Sequence, residues 1–180
     1  MYGGAGHEYF IIKNLGDRAF ENANEGYDTA WVAVNGWTVG DHIEVAYLSG
    51  NATTLNGNAT GGNLVANSTA GSTLNAGDGY TIFWGSNFND TFKVGTEGGV
   101  MYGYGGADDF VFGAPGWGTV EVADFSRAEG DQIHFAGSGI TNMGQLNIVA
   151  YADKTLIQHG ADQIILYGVT APIQASDFVF

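Results

Sequence analysis

The sequence predicts an all-β fold: a right-handed parallel β-roll of nine-residue half-coils with a C-terminal β cap. Three observations carry that expectation. Glycine makes up 30 of the 180 residues, more than twice the usual ~7%, without the three-residue period of collagen. Apolar residues recur nine positions apart at Val65, Leu74, Phe83, Phe92, Met101 and Phe110. The positions two residues earlier, Asn63, Ser72, Thr81, Asp90, Gly99 and Asp108, are all small or polar. A tight turn that tolerates positive φ, followed by a strand with one inward apolar side chain, accounts for all three. Nine residues then make a half-turn and eighteen a full coil, and coils stack about 4.8 Å apart.

Along the chain, residues 1–57 read as degenerate N-terminal coils and 58–112 as the regular nonapeptide roll. Residues 113–180 read as capping strands, because glycine thins out and alternating segments appear at 119–125, 131–136, 144–151, 155–160 and 162–168. These are expected to be coils or hairpins that end the roll. An open end would present unpaired backbone and apolar side chains, so a cap is required.

Charge narrows the function. Five Lys+Arg against 19 Asp+Glu give a net charge of -14. Such a chain cannot neutralise phosphates, which argues against nucleic acid and anionic membrane as partners. It suits hard cations. No apolar run reaches the ~18 residues of a membrane span. The segment MYGGAGHEYF at the start has neither a basic n-region nor an apolar h-region, so it does not read as a Sec signal peptide. With no cysteine, disulfides and thiolate metal sites are out, and an exported domain would need another staple.

The windows GGAGHEYFI at 3–11, AGDGYTIFW at 76–84, GSNFNDTFK at 85–93 and GYGGADDFV at 103–111 resemble the RTX nonapeptide G-G-x-G-x-D-x-U-x, with U a large apolar residue. The stretch at 21–50 resembles the degenerate blocks that precede such repeats. ADFSRAEGDQIHF at 123–135 resembles the block that follows them, and 166–180 resembles RTX C-termini. The resemblance spans nearly the whole chain. It implies a calcium-binding module at the C-terminal end of a type I-secreted bacterial protein, extracellular and folded by Ca²⁺. It also implies that Asp177, Phe178, Val179 and Phe180 form a secretion signal read by type I secretion machinery; the same residues could instead form a final strand on the cap.

In that family the Asp at the sixth motif place ligates Ca²⁺ together with carbonyls of the glycine-rich turn. Same-edge turns lie eighteen residues apart, so Asp90 and Asp108 form a stacked acidic pair. Two carboxylates about 5 Å apart repel by roughly 3 kcal/mol at an effective dielectric near 20, which a shared Ca²⁺ would reverse. The resemblance places the first ion there, with backbone from Gly85, Asn87, Asn89, Gly103 and Gly105. The alternative is that both are turn aspartates bonded to their own backbone. Asp78 is a candidate ligand on the opposite edge. Glu8 in the GGAG turn and Asp28, twenty residues on, could hold a second ion if the two-residue insertion keeps them in register. Asp124 and Asp131 either ligate calcium or make Asx-turns. Ser86, Phe88 and Tyr104 stand at glycine places, and Thr81 and Gly99 replace the opposite-edge Asp. One or two ions are therefore expected, rather than a ladder.

No enzyme is expected. There is no nucleophile elbow, no P-loop and no second histidine after HEYFI at 7–11. The sequons at Asn51, Asn58, Asn67 and Asn89 follow from composition in an Asn-rich chain. Trp31, Trp37, Trp84, Trp117, Tyr102 and Tyr104 are aromatics that could form a binding face. Two other readings therefore stay open beside the calcium module. One is a carbohydrate-binding module of an exported polysaccharide-modifying enzyme, with Trp84 or Trp117 on a glycan. The other is a calcium-dependent, self-assembling surface or matrix protein.

Overall fold

A computed structural model describes residues 1–180. The chain forms seventeen strands: β1 (Tyr9–Ile12), β2 (Thr29–Val32), β3 (Trp37–Thr38), β4 (Val45–Leu48), β5 (Thr54–Asn56), β6 (Gly62–Val65), β7 (Thr73–Asn75), β8 (Thr81–Ser86), β9 (Thr91–Lys93), β10 (Gly99–Tyr104), β11 (Asp109–Val111), β12 (Thr119–Val122), β13 (Gln132–His134), β14 (Asn147–Ala150), β15 (Lys154–His159), β16 (Asp162–Tyr167) and β17 (Phe178–Val179). From β2 to β13 consecutive strands alternate between two sheets. One sheet has 10 strands in the order β1-β2-β4-β6-β8-β10-β12-β16-β15-β14; the other has 7, in the order β17-β13-β11-β9-β7-β5-β3. Every pairing is parallel except β16-β15 and β15-β14. The product is a β-solenoid in which each coil contributes one strand to each sheet.

The repeat forms this shape because alternate residues of each short strand face opposite sides. Leu55, Leu74, Phe92 and Phe110 from the small sheet meet Phe83 and Met101 from the large one, and all are fully buried. Phe92 packs edge-on to Phe83 at 5.8 Å between centroids and stacks on Phe110 at 5.5 Å. The core is thus a column of apolar side chains along the axis.

Val65 departs from the nine-residue series. Leu64, not Val65, is the core residue, and it pairs with Phe83 nineteen positions on. The extra residue lies before Leu74. A one-residue slip turns every side chain of a strand over, so Val65 faces outward beside Trp84. By the same slip, Gly62 rather than Asn63 stands in register with Thr81 and Gly99.

The solenoid closes at its C-terminal end. β16 adds in parallel to β12, and β15 and β14 fold back as an antiparallel meander. β17 adds to β13 as the last strand of the small sheet.

Two of the sequons have a structural cause. Asn58 and Asn67 are buried, and each Oδ1 accepts the N–H and hydroxyl of the Thr two residues on, at 2.7–3.1 Å. Their amide nitrogens donate to the preceding coil, Asn58 to Gly40 O and Asn67 to Gly50 O. They are Asx-turns that tie coils together.

Candidate metal centre

Both edges of the solenoid carry acidic residues stacked in register, and both use the same hydrogen bond. On one edge Ser72, Asp90, Asp108 and Asp131 immediately precede aligned strands of the small sheet. The main-chain N–H of Ser72 donates to Asp90 Oδ1 at 2.6 Å, that of Asp90 to Asp108 Oδ1 at 2.8 Å, and that of Asp108 to Asp131 Oδ1 at 2.9 Å. On the other edge Glu8, Asp28 and Glu44 precede aligned strands of the large sheet. There the Glu8 N–H donates to Asp28 Oδ1 at 2.8 Å, and the Asp28 N–H to Glu44 Oε2 at 2.6 Å. Asp90, Asp108, Asp131, Asp28 and Glu44 each satisfy a backbone donor of the coil before, at a corner where the sheet ladder is interrupted.

The second oxygen separates the members of the first column. Asp90 Oδ2 accepts the Ser86 N–H at 2.7 Å and the Ser86 hydroxyl at 2.9 Å. Asp131 Oδ2 accepts the Ser126 N–H at 2.8 Å. The matching donors for Asp108, the N–H groups of Gly103 and Tyr104, are taken by the two oxygens of Asp124, each at 2.9 Å. Asp108 Oδ2 is therefore buried without a partner. Burial pushes its carboxyl up to about 8, aided by repulsion from Asp131, Asp90 and Asp124 and opposed by the Asp90 N–H. Burial also raises Asp90 and Asp131 above the ordinary carboxylate range.

This geometry describes the first candidate site. Asp90 and Asp108 do stack, but both oxygens of Asp90 and of Asp131 hold donors, which leaves Asp108 Oδ2 as the column's one unpartnered oxygen. With its other side-chain oxygens already accepting N–H or O–H donors, the column has the hydrogen bonding of the turn-aspartate alternative. Gly85 and Gly103 are not turn residues: they lie within β8 and β10, where a Cβ on Gly85 would press on the Gly103 carbonyl oxygen. Asn87 is exposed, and Asn89 Oδ1 accepts the Ala107 N–H at 3.0 Å. Gly105 donates its N–H to Ser86 O at 3.0 Å. Asp78 is exposed on the opposite edge.

The N-terminal column is different. The insertion does not break register: Tyr9 pairs with Thr29, which sets Glu8 against Asp28. Carboxylate oxygens of Glu8, Glu21 and Asp28 lie within 4.8 Å of one another. Asp28 is fully buried, and Glu8 Oε2, Glu21 Oε2 and Asp28 Oδ2 are all buried without a hydrogen-bond partner. Two oxygens on opposite sides of a Ca²⁺ shell stand about 4.8 Å apart, so these three acids could hold one ion. Withdrawal from water raises Glu8 above the ordinary carboxylate range, helped by its contact with Asp28 and by repulsion from Asp28 and Glu21, and opposed by His7.

Glycine makes room for this cluster. A Cβ on Gly3 would overlap the Glu21 carboxylate, and one on Gly26 would overlap the Gly6 carbonyl oxygen. Gly4 N–H holds Glu21 Oε1 at 3.2 Å. Sequence reasoning missed Glu21 and Glu44. Glu44 was findable, since it lies sixteen residues after Asp28 just before a strand. Glu21 was not, because it enters from the loop between β1 and β2 and has no repeat position.

Among the aromatics, Trp117 and Trp37 are core residues at 2% exposure each, so neither can belong to a binding face. Trp117 packs on Phe112 and Phe135. Trp31, Trp84, Tyr102 and Tyr104 face outward on the large sheet. The tail is docked. Arg127 forks onto the buried Asp177 carboxylate, and Phe178 and Phe180 stack on Phe135, each at 5.9 Å.

No family model matches the sequence, and no curated protein matches it. Among solved structures, the extracellular lipase LipA from Serratia marcescens is similar over 99% of this chain, with a TM-score of 0.54 and 14% identity. The chain spans 38% of the length of that protein. At this identity the likeness shows the fold alone. No helix is long and apolar enough to cross a membrane.

Proposed function

We propose that the chain is a non-catalytic, calcium-binding module of an exported bacterial protein, and that Glu8, Glu21 and Asp28 hold the ion. One observation carries this reading: carboxylate oxygens of Glu8, Glu21 and the fully buried Asp28 lie within 4.8 Å of one another, and each of the three acids has one buried oxygen without a hydrogen-bond partner. Without a cation such a cluster costs free energy by repulsion and desolvation. With Ca²⁺ the same terms favour the closed first coil, so that binding free energy becomes folding free energy. The ion would clamp the loop after β1 to the GGAG turn, which is the staple that a chain without cysteine lacks.

The RTX-like windows support calcium over other hard cations and support export outside the cell. In this reading type I secretion machinery reads Asp177–Phe180 before the chain folds, because in the folded chain those residues are bound to Arg127 and Phe135. The test is calorimetric titration of the metal-free protein with Ca²⁺, with thermal unfolding followed by circular dichroism. A site of extracellular affinity, with Kd of about 0.1–1 mM, is expected. It should raise the unfolding midpoint, by about 2.7 kcal/mol of stability at a hundredfold excess over Kd. No heat of binding and an unchanged midpoint in millimolar Ca²⁺ defeats the reading.

A further inference from the structure

The outer face of the large sheet carries a row of side chains in register along the axis: Ile11, Trp31, Tyr47, Val65, Trp84 and Tyr102. Two pairs stack along it. Trp31 and Tyr47 lie 4.7 Å apart with ring planes 13° from parallel, and Trp84 and Tyr102 lie 4.6 Å apart at 6°. Those separations equal the strand spacing, so the rings stand up from the sheet like successive plates. Val65 sits between the pairs and is too short to be a plate. Tyr47 and Trp84 therefore face each other across two strand spacings, about 9.6 Å, with one layer missing.

The gap lies in an open groove of about 360 Å³, lined by Tyr27, Val45, Tyr47, Asn63, Val65, Trp84, Gly85 and Tyr104. Its Trp84 wall is fixed in advance: the indole N–H donates to Asn63 Oδ1 at 2.9 Å, and Asn63 Nδ2 donates to the Glu44 carbonyl at 3.2 Å. Tyr27 and Tyr104, each about half exposed, put phenol groups at the rim. No lining residue is charged.

We propose that this slot binds one pyranose ring of a neutral glycan, sandwiched between Tyr47 and Trp84. Width selects the ligand. A planar aromatic ring held at van der Waals contact on both faces needs roughly 7 Å between the plates, whereas a puckered pyranose presenting C–H groups on both faces needs roughly 2 Å more. Charge selects it as well. An acidic polymer finds no cation in the slot and a chain of net charge -14 around it. A sugar ring matches the remaining character, apolar walls with hydrogen-bonding groups at the rim. The inference rests on other side chains than the calcium reading: the plates Tyr47 and Trp84 stand on the sheet face, and Tyr27 at the rim is the lining residue beside Asp28.

The test is titration of the intact chain in millimolar Ca²⁺ with cellohexaose, laminarihexaose and an alginate hexamer, followed by tryptophan fluorescence and calorimetry. At least one neutral oligosaccharide should give a saturable signal, and alginate none. Trp84→Ala should weaken binding about tenfold or more. Val65→Trp should fill the missing layer and abolish binding while leaving the unfolding midpoint at or above that of the parent, which separates occlusion from misfolding. The proposal is overturned if neither neutral hexamer binds, if alginate binds as well as they do, or if Val65→Trp binds like the parent. It is also overturned if sedimentation shows a dimer that Trp84→Ala dissolves, since a second copy would then own this face.

Discussion

The main-chain N–H of Asp90 donates to Oδ1 of Asp108, one coil later, at 2.8 Å. The bond explains why carboxylates can line a solenoid edge without a cation at every step. Each one fulfils a backbone donor that the turn would otherwise leave unmade in the interior. Asp90 accepts two such bonds, from Ser72 N–H and Ser86 N–H, and a third from the Ser86 hydroxyl. Replacing it with alanine strands two buried N–H groups, so Asp90→Ala should cost about 2–4 kcal/mol. Urea unfolding with and without Ca²⁺ checks this, and the loss should be the same in both. A loss seen only with Ca²⁺ would return the ion to this column.

Asp108 makes stability depend on pH. Its folded carboxyl is raised to about 8 from 3.8, chiefly by burial. The folded state therefore binds this proton more tightly than the unfolded chain, and the associated stability is present below about pH 4 and lost as pH rises toward 8. Asp90 and Asp131 shift in the same direction. Asp108→Asn keeps an oxygen for the Asp90 N–H and removes the charge. It should flatten the decline between pH 5 and 8 and be more stable than the parent at about pH 8. An unchanged pH profile of the unfolding midpoint would show that Asp108 is not its source.

Removing one carboxylate charge from the N-terminal cluster should separate metal binding from folding. Glu21→Gln keeps an acceptor for the Gly4 N–H, so its midpoint in chelator should match the parent or exceed it, while its Ca²⁺ affinity falls about tenfold or more. Protons compete for the same oxygens. Because Glu8 is raised above the ordinary carboxylate range, Ca²⁺ affinity should fall as pH drops through its folded pKa. Calorimetric titrations at several pH values measure both effects.

The glycines around this cluster predict opposite outcomes. A Cβ on Gly26 meets the backbone carbonyl of Gly6, which cannot move without separating the first two coils. A Cβ on Gly3 meets the end of the Glu21 side chain, which can swing away. Gly26→Ala should lower the midpoint in chelator. Gly3→Ala should leave it nearly unchanged and weaken the calcium response. Equal behaviour of the two variants would contradict this geometry.

The C-terminal tail is held by one half-exposed arginine on a buried acid. Arg127 donates through Nε and Nη2 to the two oxygens of Asp177, both at 2.5 Å. This bond, foremost, holds the Asp177 carboxyl below the ordinary range. The stability from this lowered pKa is present above about pH 4 and lost as pH falls through the folded value, opposite in sign to Asp108. Arg127→Ala should cost about 1–3 kcal/mol, because the buried Asp177 loses its charged partner and keeps only the Gln174 N–H, while Arg127 itself was partly solvated. The local signature is faster cleavage of the last residues in limited proteolysis.

The amino-acid sequence determined the solenoid because the information is local. Leu74, Phe83, Phe92, Met101 and Phe110 each fill the interior of their own half-coil, so a nine-residue pattern suffices to specify the shape. It also marked the acids that stack, since a coil of fixed length sets which residues share an edge. Val65 shows the limit: one extra residue in a turn reverses a strand, and composition does not reveal it. Trp117 shows another, since its burial depends on Phe112 and Phe135 from neighbouring segments. Which carboxylates are left for a cation was decided only by the tertiary structure. A carboxylate becomes a free ligand when no N–H reaches it. For Asp90 the reaching donors lie eighteen and four residues away, for Asp108 one of them is taken by Asp124, and for Asp28 the companion acid arrives from a loop outside the repeat. Those are distances through space between coils, and they exist only once the coils have stacked.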